Sequence, residues 1–362
     1  MIDLRLKVDP LPIDAPMVVR LREAIDDSVG PHDAILIDRN EGNREYDYHG
    51  FSLVVHAPAD LPLDNDVLLL APGQQSASRL IRANSVHNTL LVTEQCDQLC
   101  VMCSQPPKKH HVDLLAHLET AASLAPYGAY IGISGGEPLL HKAALFAMLR
   151  NLAVARPDLK FHILTNGQHF EPADMAHVSA IGADRILWGI PLYSADPSVH
   201  DTIVGKAGAY ARLMQSLVLL MRAGSAIELR TVVMQQNWTG LPELAEQVSI
   251  RLPFIERWAI MHLENIGFGR MNWKSSFKDT SADFGSLGRA IDIASAKGMQ
   301  VALYNFPLCS VPAAYRHLAP ATISDWKNKH EAFCEDCAER SKCGGFFEWY
   351  NHNNGFSQLG AL

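Results

Sequence analysis

The chain has 362 residues, 48% hydrophobic and 19% charged, the balance of a globular enzyme large enough for one α/β domain and an appendage. Its net charge of −8 argues against a general nucleic-acid partner. The longest apolar run, 213–221, is interrupted by Gln215 and Ser216 and is too short for a membrane span. Seven cysteines, an odd number in a long chain, do not suit a secreted disulfide framework, and the charged opening at residues 1–7 is not that of a secretory leader. A cytoplasmic protein is expected.

Residues 1–87 are rich in Asp and Pro, with short apolar runs at 34–37, 51–55 and 67–71 and a Pro72-Gly73 turn. They predict a small β-rich N-terminal module without recognisable chemistry. From 88 to 300, strand and helix patterns alternate. Strands are expected at 90–93, 130–134, 161–165, 185–192, 227–234 and 257–263. Helices are expected at 143–156, 212–222, 241–248 and 281–297, with Asn237 and Thr239 as candidate caps of the third. Six β-α units in series predict a parallel sheet under helices, a partial (β/α)6 TIM-like barrel. Residues 301–362 form a cysteine-rich C-terminal extension.

In parallel β/α folds the residues just after each strand meet at one rim. Three segments should meet there. Cys96-Asp-Gln-Leu-Cys100-Val-Met-Cys103 follows the first strand, Gly135-Gly136-Glu137-Pro138 the second, and Thr165-Asn166-Gly167 the third. Three thiols on one short loop can hold three corners of an iron–sulfur cube and leave one iron open to a small molecule. A zinc knuckle is the alternative, but zinc sites usually have a fourth ligand close by.

The cysteine spacing and the Gly-Gly-Glu-Pro segment together resemble the radical SAM (S-adenosylmethionine) superfamily. The resemblance implies a radical SAM barrel with a 4Fe-4S cluster on Cys96, Cys100 and Cys103. It also implies SAM, with its methionine end near Gly135 and Gly136 and its ammonium group near Glu137. Pro138 would complete the SAM-binding segment, the plain alternative being a strand-to-helix turn in which it opens the next helix, and Thr165 and Asn166, with Gly167, would line the ribose side. Arg230 on the fifth strand would meet the SAM carboxylate region or a neighbouring acid. Met102 replaces an aromatic residue and Pro191 a serine common in relatives. His200-Asp201 is read as a cap at a helix start, His262 as a core histidine or an adenine neighbour, and His110-His111 as solvated. Glu264 and Tyr193, near strand ends, are candidate bases.

Cys309, Cys334, Cys337 and Cys343 supply four ligands, enough for a closed zinc ribbon or a second, auxiliary 4Fe-4S cluster. Likeness to the twitch and SPASM-like extensions of peptide-modifying radical SAM enzymes favours the cluster. At finer grain, 85–94, Cys103-Ser-Gln-Pro-Pro107, Phe306-Pro-Leu-Cys309, 323–327 and Cys343-Gly-Gly-Phe-Phe347 resemble the His-Xaa-Ser system maturases of the HxsC type. That implies a precursor peptide with His-Xaa-Ser repeats, a companion radical SAM protein, a small accessory protein, and an electron donor such as flavodoxin or ferredoxin. Rival expectations are radical SAM modification of a small molecule or tRNA, a non-catalytic iron–sulfur electron carrier, and a zinc-stapled binding protein.

Overall fold

Seven strands near the start of the chain close into a barrel: β1 (Arg5–Val8), β2 (Met17–Arg22), β3 (Asp33–Arg39), β4 (Asn43–Tyr48), β5 (Phe51–His56), β6 (Val67–Leu70) and β7 (Ser76–Ile81). This computed structural model describes residues 4–26 and 29–362; residues 1–3 of the charged opening read above lie outside the described residues. The barrel order is β1-β5-β4-β3-β2-β6-β7, with β7 pairing back to β1 and only β2 and β3 parallel. The three apolar runs fall on β3, β5 and β6. β4 and β7 look polar in sequence because each buries an arginine. Arg44 is 1% exposed and donates to the carbonyls of Ala59 (3.0 Å) and Leu61 (2.5 Å) and to Glu23 (3.1 Å). Arg79 donates through Nε to the buried Asp66 (2.8 Å). A guanidinium is tolerated inside only when its donors are occupied in this way.

A second sheet follows, with seven parallel strands in chain order: β8 (Asn88–Thr93), β9 (Tyr130–Gly135), β10 (Lys160–Leu164), β11 (Ile186–Pro191), β12 (Ala226–Val232), β13 (Arg257–Met261) and β14 (Val301–Tyr304). The sheet is open. The six-strand expectation is therefore corrected to seven, and residues 301–304 belong to the sheet instead of the extension. β14 has only four residues, too few to show an alternating pattern; its place is fixed by pairing with β13 (Ala259 with Ala302, Ile260 with Leu303).

The helices are α1 (Leu115–Ser123), α2 (Lys142–Ala155), α3 (Asp174–Ile181), α4 (Pro197–Val204), α5 (Ala209–Arg222), α6 (Leu241–Arg251), α7 (Gly267–Met271), α8 (Trp273–Ser276) and α9 (Gly285–Ala296). In α2, Leu145, Phe146, Met148, Leu149 and Leu152 recur at helical spacing and are all buried. Each contributes about 2 kcal/mol by leaving water. The helix stops before Pro157, which disfavours helical geometry at Arg156. Arg156 then donates to the carbonyls of Ser123 (2.6 Å), the last residue of α1, and of Ala125 (2.9 Å) just beyond it, where a cation suits the helix dipole. Leu118, Leu149, Val178, Leu217, Leu244 and Ile291 carry α1, α2, α3, α5, α6 and α9 into one core with the sheet.

The tail is mostly short turns around a two-stranded ladder, β15 (Asn328–Lys329) and β16 (Phe346–Phe347). Asp325 in the tail accepts two hydrogen bonds from Arg82 (2.7 and 2.9 Å), fastening it to the connection between the barrel and β8. Among the described residues no helix is long and apolar enough to cross a membrane.

Candidate active site

The cysteine loop leaves the C-terminal end of β8 and is gripped from several sides. Thr93 O and Gln95 O accept hydrogen bonds from Gly136 N and Glu137 N, both 2.8 Å. Leu99 N and Val101 N donate to Val204 O (3.0 Å) and Ile203 O (2.9 Å), carbonyls at the end of α4 that have no partner inside the helix. Phe268 N in α7 donates to Cys103 O (2.8 Å), and Asn272 Nδ2 donates to Val101 O (2.9 Å).

The glycine pair is required by this packing. A Cβ on Gly136 would lie 2.1 Å from Gln95 O, and one on Gly135, whose φ is +151°, would lie 2.2 Å from Thr93 O. On the side where a Cβ would project, the immediate neighbour of both glycines is the backbone leading into Cys96.

Glu137 is wholly buried, and both its oxygens serve the chain. Oε1 accepts from Leu139 N (2.8 Å) and Thr165 Oγ1 (2.8 Å), and Oε2 accepts from Asn166 N (2.6 Å). It therefore caps the short 3-10 turn that Pro138 opens and ties the loop after β9 to the loop after β10. Burial pushes its carboxyl up, and these three donors offset part of that shift. Glu137 is thus a strut between two loops of the rim.

Asn166 reaches onward: its Nδ2 donates to Asp97 Oδ1 (2.8 Å) and lies 4.0 Å from Cys96 Sγ. Asp97 also pairs with Lys206 and lies 3.2 Å from His169 Nε2. Burial alone would raise its carboxyl, but His169, Lys206 and Asn166 outweigh burial and hold it well below the usual carboxylate range. Lys206 and His169 were not in the sequence reading. Lys206 stands 109 positions from Asp97, and no local pattern marks such a partner. Thus Cys96, Cys100, Cys103, Gly135, Gly136, Glu137, Pro138, Thr165 and Asn166 share one rim.

Arg230 stands deeper. Its Nη1 donates to Glu228 Oε1 (2.5 Å), so of its two expected partners the structure supplies the neighbouring acid. Burial would raise Glu228, but His162, Arg230 and Tyr304 bring its carboxyl down to about 2. Burial pushes the hydroxyl of Tyr193 well above its usual range.

Several smaller readings are corrected. His200-Asp201 does not start a helix. Asp196 does, its Oδ1 accepting from Ser198 N (2.7 Å), while His200 lies buried within α4. Asp201 accepts from Gly208 N (2.6 Å) and Tyr210 N (2.8 Å), serving the start of α5. Asn237 does not cap α6: its Oδ1 accepts from Met234 N (2.9 Å), and no side chain caps that helix. His110 is exposed, but His111 stacks on His141 at 3.8 Å.

Burial holds His200 and His262 down at about 4. The unfolded chain binds these protons first, near pH 6.5, so the stability from neutral burial is present above that pH and is lost as pH falls toward 4. Each contributes up to about 3 kcal/mol. We expect the urea midpoint to drop steadily from pH 7 to pH 4; a flat midpoint over that interval would contradict neutral burial.

Cys309, Cys334, Cys337 and Cys343 line one pocket with Leu308, Phe333 and Phe346. Backbone N–H groups point at two of the sulfurs: Leu308 N and Gly345 N at Cys343 Sγ (3.4 and 3.3 Å), and Leu362 N at Cys337 Sγ (3.4 Å). Such bonds favour thiolates and tune iron–sulfur clusters. The first set therefore has three thiols and no fourth, which fits a cluster with one open corner, and the second has four, which fits a closed site. Burial raises the thiols, Cys96 and Cys309 each to about 11, so binding iron must displace their protons. Among the described residues no three or more His, Cys, Asp or Glu converge on a single ion position, so the sulfurs would draw in on binding.

Residues 90–248 match the family model of the radical SAM superfamily. This segment is a radical SAM domain. It contains the whole three-thiol rim, from Cys96 to Asn166, and Arg230. Two curated relatives align with less than half of this chain. AlbA of Bacillus subtilis, a subtilosin biosynthesis protein, is 26% identical over 167 residues, 45% of this chain and 36% of AlbA. Pre-heme d1 synthase of Dinoroseobacter shibae is 28% identical over 170 residues, 47% of this chain and 39% of that protein. The chain thus spans well under half the length of either relative. A similar solved structure is Streptococcus suis SuiB bound to S-adenosylmethionine, with 14% identity, a TM-score of 0.49, and coverage of 61% of this chain and 51% of SuiB. The matched segment begins after the N-terminal barrel and ends before β13 and the second cysteine set.

Proposed function

We propose that the chain is a radical SAM peptide maturase of the His-Xaa-Ser type. It would act on a precursor peptide with His-Xaa-Ser repeats, assisted by a companion radical SAM protein, a small accessory protein and a flavodoxin- or ferredoxin-like donor. When bound, a 4Fe-4S cluster and SAM supply a 5′-deoxyadenosyl radical for hydrogen abstraction, and an auxiliary cluster supplies an acceptor for the electron left on the substrate. The chain's own residues do the rest. Cys96, Cys100 and Cys103 hold three corners of the first cluster. The Asp97–Lys206–His169 group and the Glu137 strut fix the loop, and the tail covers the rim. Cys309, Cys334, Cys337 and Cys343 hold the second cluster.

The observation that carries the reading is the open-cornered thiol set clamped against the Gly135-Gly136 turn. AlbA, a bacteriocin biosynthesis protein, supports a peptide substrate. Pre-heme d1 synthase favours a small-molecule substrate and is the reason to keep that second reading. The test is mass spectrometry of a repeat-bearing peptide incubated with reconstituted protein, SAM and reductant. Loss of paired hydrogens in SAM-dependent fashion is expected. An unchanged peptide, with 5′-deoxyadenosine still formed, would pass the case to the small-molecule reading.

Cys337→Ala tests the second set. Iron should fall from about eight to about four per chain, and SAM cleavage should persist. One zinc per wild-type chain beside about four irons would replace the auxiliary cluster by a structural staple.

A further inference from the structure

We propose that the open end of the N-terminal barrel is a docking site for a cationic polypeptide segment, which inserts one apolar side chain of about phenylalanine size. The barrel has its own core, from Leu6 to Ala77, and lies outside the matched segment 90–248, so its role is separate from that of the thiol sites. Alternate side chains of a strand face the same side, and Leu21, Tyr46 and Val55, all wholly buried, fill the barrel interior. The same inward faces end in Met17 and Val19 on β2, Tyr48 on β4, Phe51 and Leu53 on β5, and Leu70 on β6, which line a cavity of about 120 Å³. Leu11, Pro12 and Ile13, between β1 and β2, complete the wall. The register sets Met17 beside Leu70 and Tyr48 beside Phe51, so the cavity is the mouth at one end of the barrel. Val67 pairs with Ile81 at the other end, from which the chain leads on to β8.

Size and lining say what enters. The pockets at His262 and at the four cysteines hold about 10 Å³ each, room for one water, whereas the barrel mouth can take an organic group. Its walls are apolar, the Tyr48 hydroxyl being turned to Pro31 O (3.3 Å). An apolar cavity of this size stays dry and admits a benzene ring, and an occupant restores the dispersion contacts that the lining lacks. Phe51 stands 57% exposed at the lip, where it can close against such a group. Charge says what carries the side chain. Residues 1–87 hold fourteen Asp and Glu against eight Lys and Arg, which is −6 of the chain's −8. Arg20, Arg22, Arg39, Arg44, Arg79 and Arg82 are each paired with a carboxylate, and Arg5 and Lys7 face outward on β1. At the mouth the acids prevail. Asp9 and Asp14, both exposed, flank the Leu11–Ile13 stretch, and Asp47 precedes Tyr48. His56 answers Asp9 (2.8 Å), and Gly50 N donates to Asp47 (3.1 Å). A neutral ligand gains nothing from that rim. A segment with Lys or Arg on both sides of an apolar residue is steered by the field and then seated by the cavity.

The test uses the full-length protein and fluorescein-labelled peptides read by anisotropy: Lys-Lys-Phe-Lys-Lys, its Phe→Ala form, and Glu-Glu-Phe-Glu-Glu. We expect saturable binding of the first that weakens as salt rises, binding of the second weaker by about tenfold, and no binding of the third. In the protein, Ile13→Trp fills the cavity and should weaken the first peptide about tenfold, and Asp14→Lys should weaken it about threefold. Each variant is checked for native circular dichroism and unchanged iron content. Phe51→Ser, at the exposed lip, supplies the same reading where Ile13→Trp disturbs the barrel. No binding of the first peptide, or equal binding of the glutamate-flanked one, would overturn the proposal. Undiminished binding in both Ile13→Trp and Phe51→Ser would overturn it too, since the peptide would then sit elsewhere. Toluene seen in the cavity by saturation-transfer NMR and lost in Ile13→Trp, with no peptide bound, would give the mouth to a small neutral molecule instead. A dimer in sedimentation that Ile13→Trp abolishes would give it to a second copy of the chain, and that also overturns the proposal.

Discussion

Cys100→Ala will give a folded protein that forms no 5′-deoxyadenosine. Cys100 is half-buried beside the cluster of Met102, Tyr193 and Leu263, and its carbonyl accepts from Cys103 N (3.0 Å). The bonds that hold the loop are main-chain bonds to Gly136, Glu137, Ile203, Val204 and Phe268, the Asn272 side chain, and the Asp97 contacts with Asn166, Lys206 and His169, none of which involves the Cys100 sulfur. Removing one sulfur leaves them in place, so the stability cost should be about 1 kcal/mol. The chemical cost is of another order. A cluster with an open corner needs all three protein sulfurs, and no fourth thiol lies in this set to substitute. Iron should fall to about four per chain from about eight. Formation of 5′-deoxyadenosine under dithionite, with anaerobic reconstitution, should fall at least about a thousandfold. Wild-type rates in this variant would end the assignment of Cys100 as a ligand. Wild-type protein that binds SAM and never cleaves it would restore the electron-carrier reading.

The sequence showed the rim better than it showed what holds the rim. Parallel strands with helical crossovers bring successive strand ends together, so order along the chain was enough to gather Cys96–Cys103, Gly135–Pro138 and Thr165–Asn166. It could not show that Glu137 joins two of those loops, because a buried carboxylate and a ligand-facing one look alike in a string of letters. Lys206, His169, Phe268 and Asn272 were missed for a related reason: they act on the cysteine loop from distant elements. The N-terminal barrel was legible only where strands are apolar. Arg44 and Arg79 point inward and are paired there, which disguised β4 and β7. β14 was lost to shortness, and the His200-Asp201 reading failed because Asp196, four residues earlier, already caps α4.

Gly136→Ala should damage both the fold and the cysteine loop. The added Cβ would sit 2.1 Å from Gln95 O and 2.6 Å from Gln95 C, both backbone atoms that cannot swing aside. Relief requires the chain before Cys96 to move off the β9 turn. That breaks Gly136 N to Thr93 O and Glu137 N to Gln95 O, two bonds of 2.8 Å. Two lost bonds and the forced displacement together cost about 3–5 kcal/mol, a large part of a typical total stability. The damage should also be local in its chemistry. With Cys96 shifted, the Asn166–Asp97 bond and the Lys206 pair lose register, and the first cluster should load poorly, while the second cluster proposed for Cys309, Cys334, Cys337 and Cys343 should load normally. Gly42→Ala is the matched control, since nothing lies within 4 Å of its added methyl. We expect a urea midpoint clearly lowered in Gly136→Ala, with iron near four per chain, and a Gly42→Ala midpoint within about 0.5 kcal/mol of wild type. Equal midpoints and full iron in both variants would show that the loop and the turn are not locked together, and the geometry assigned to the three thiols would fall with that lock.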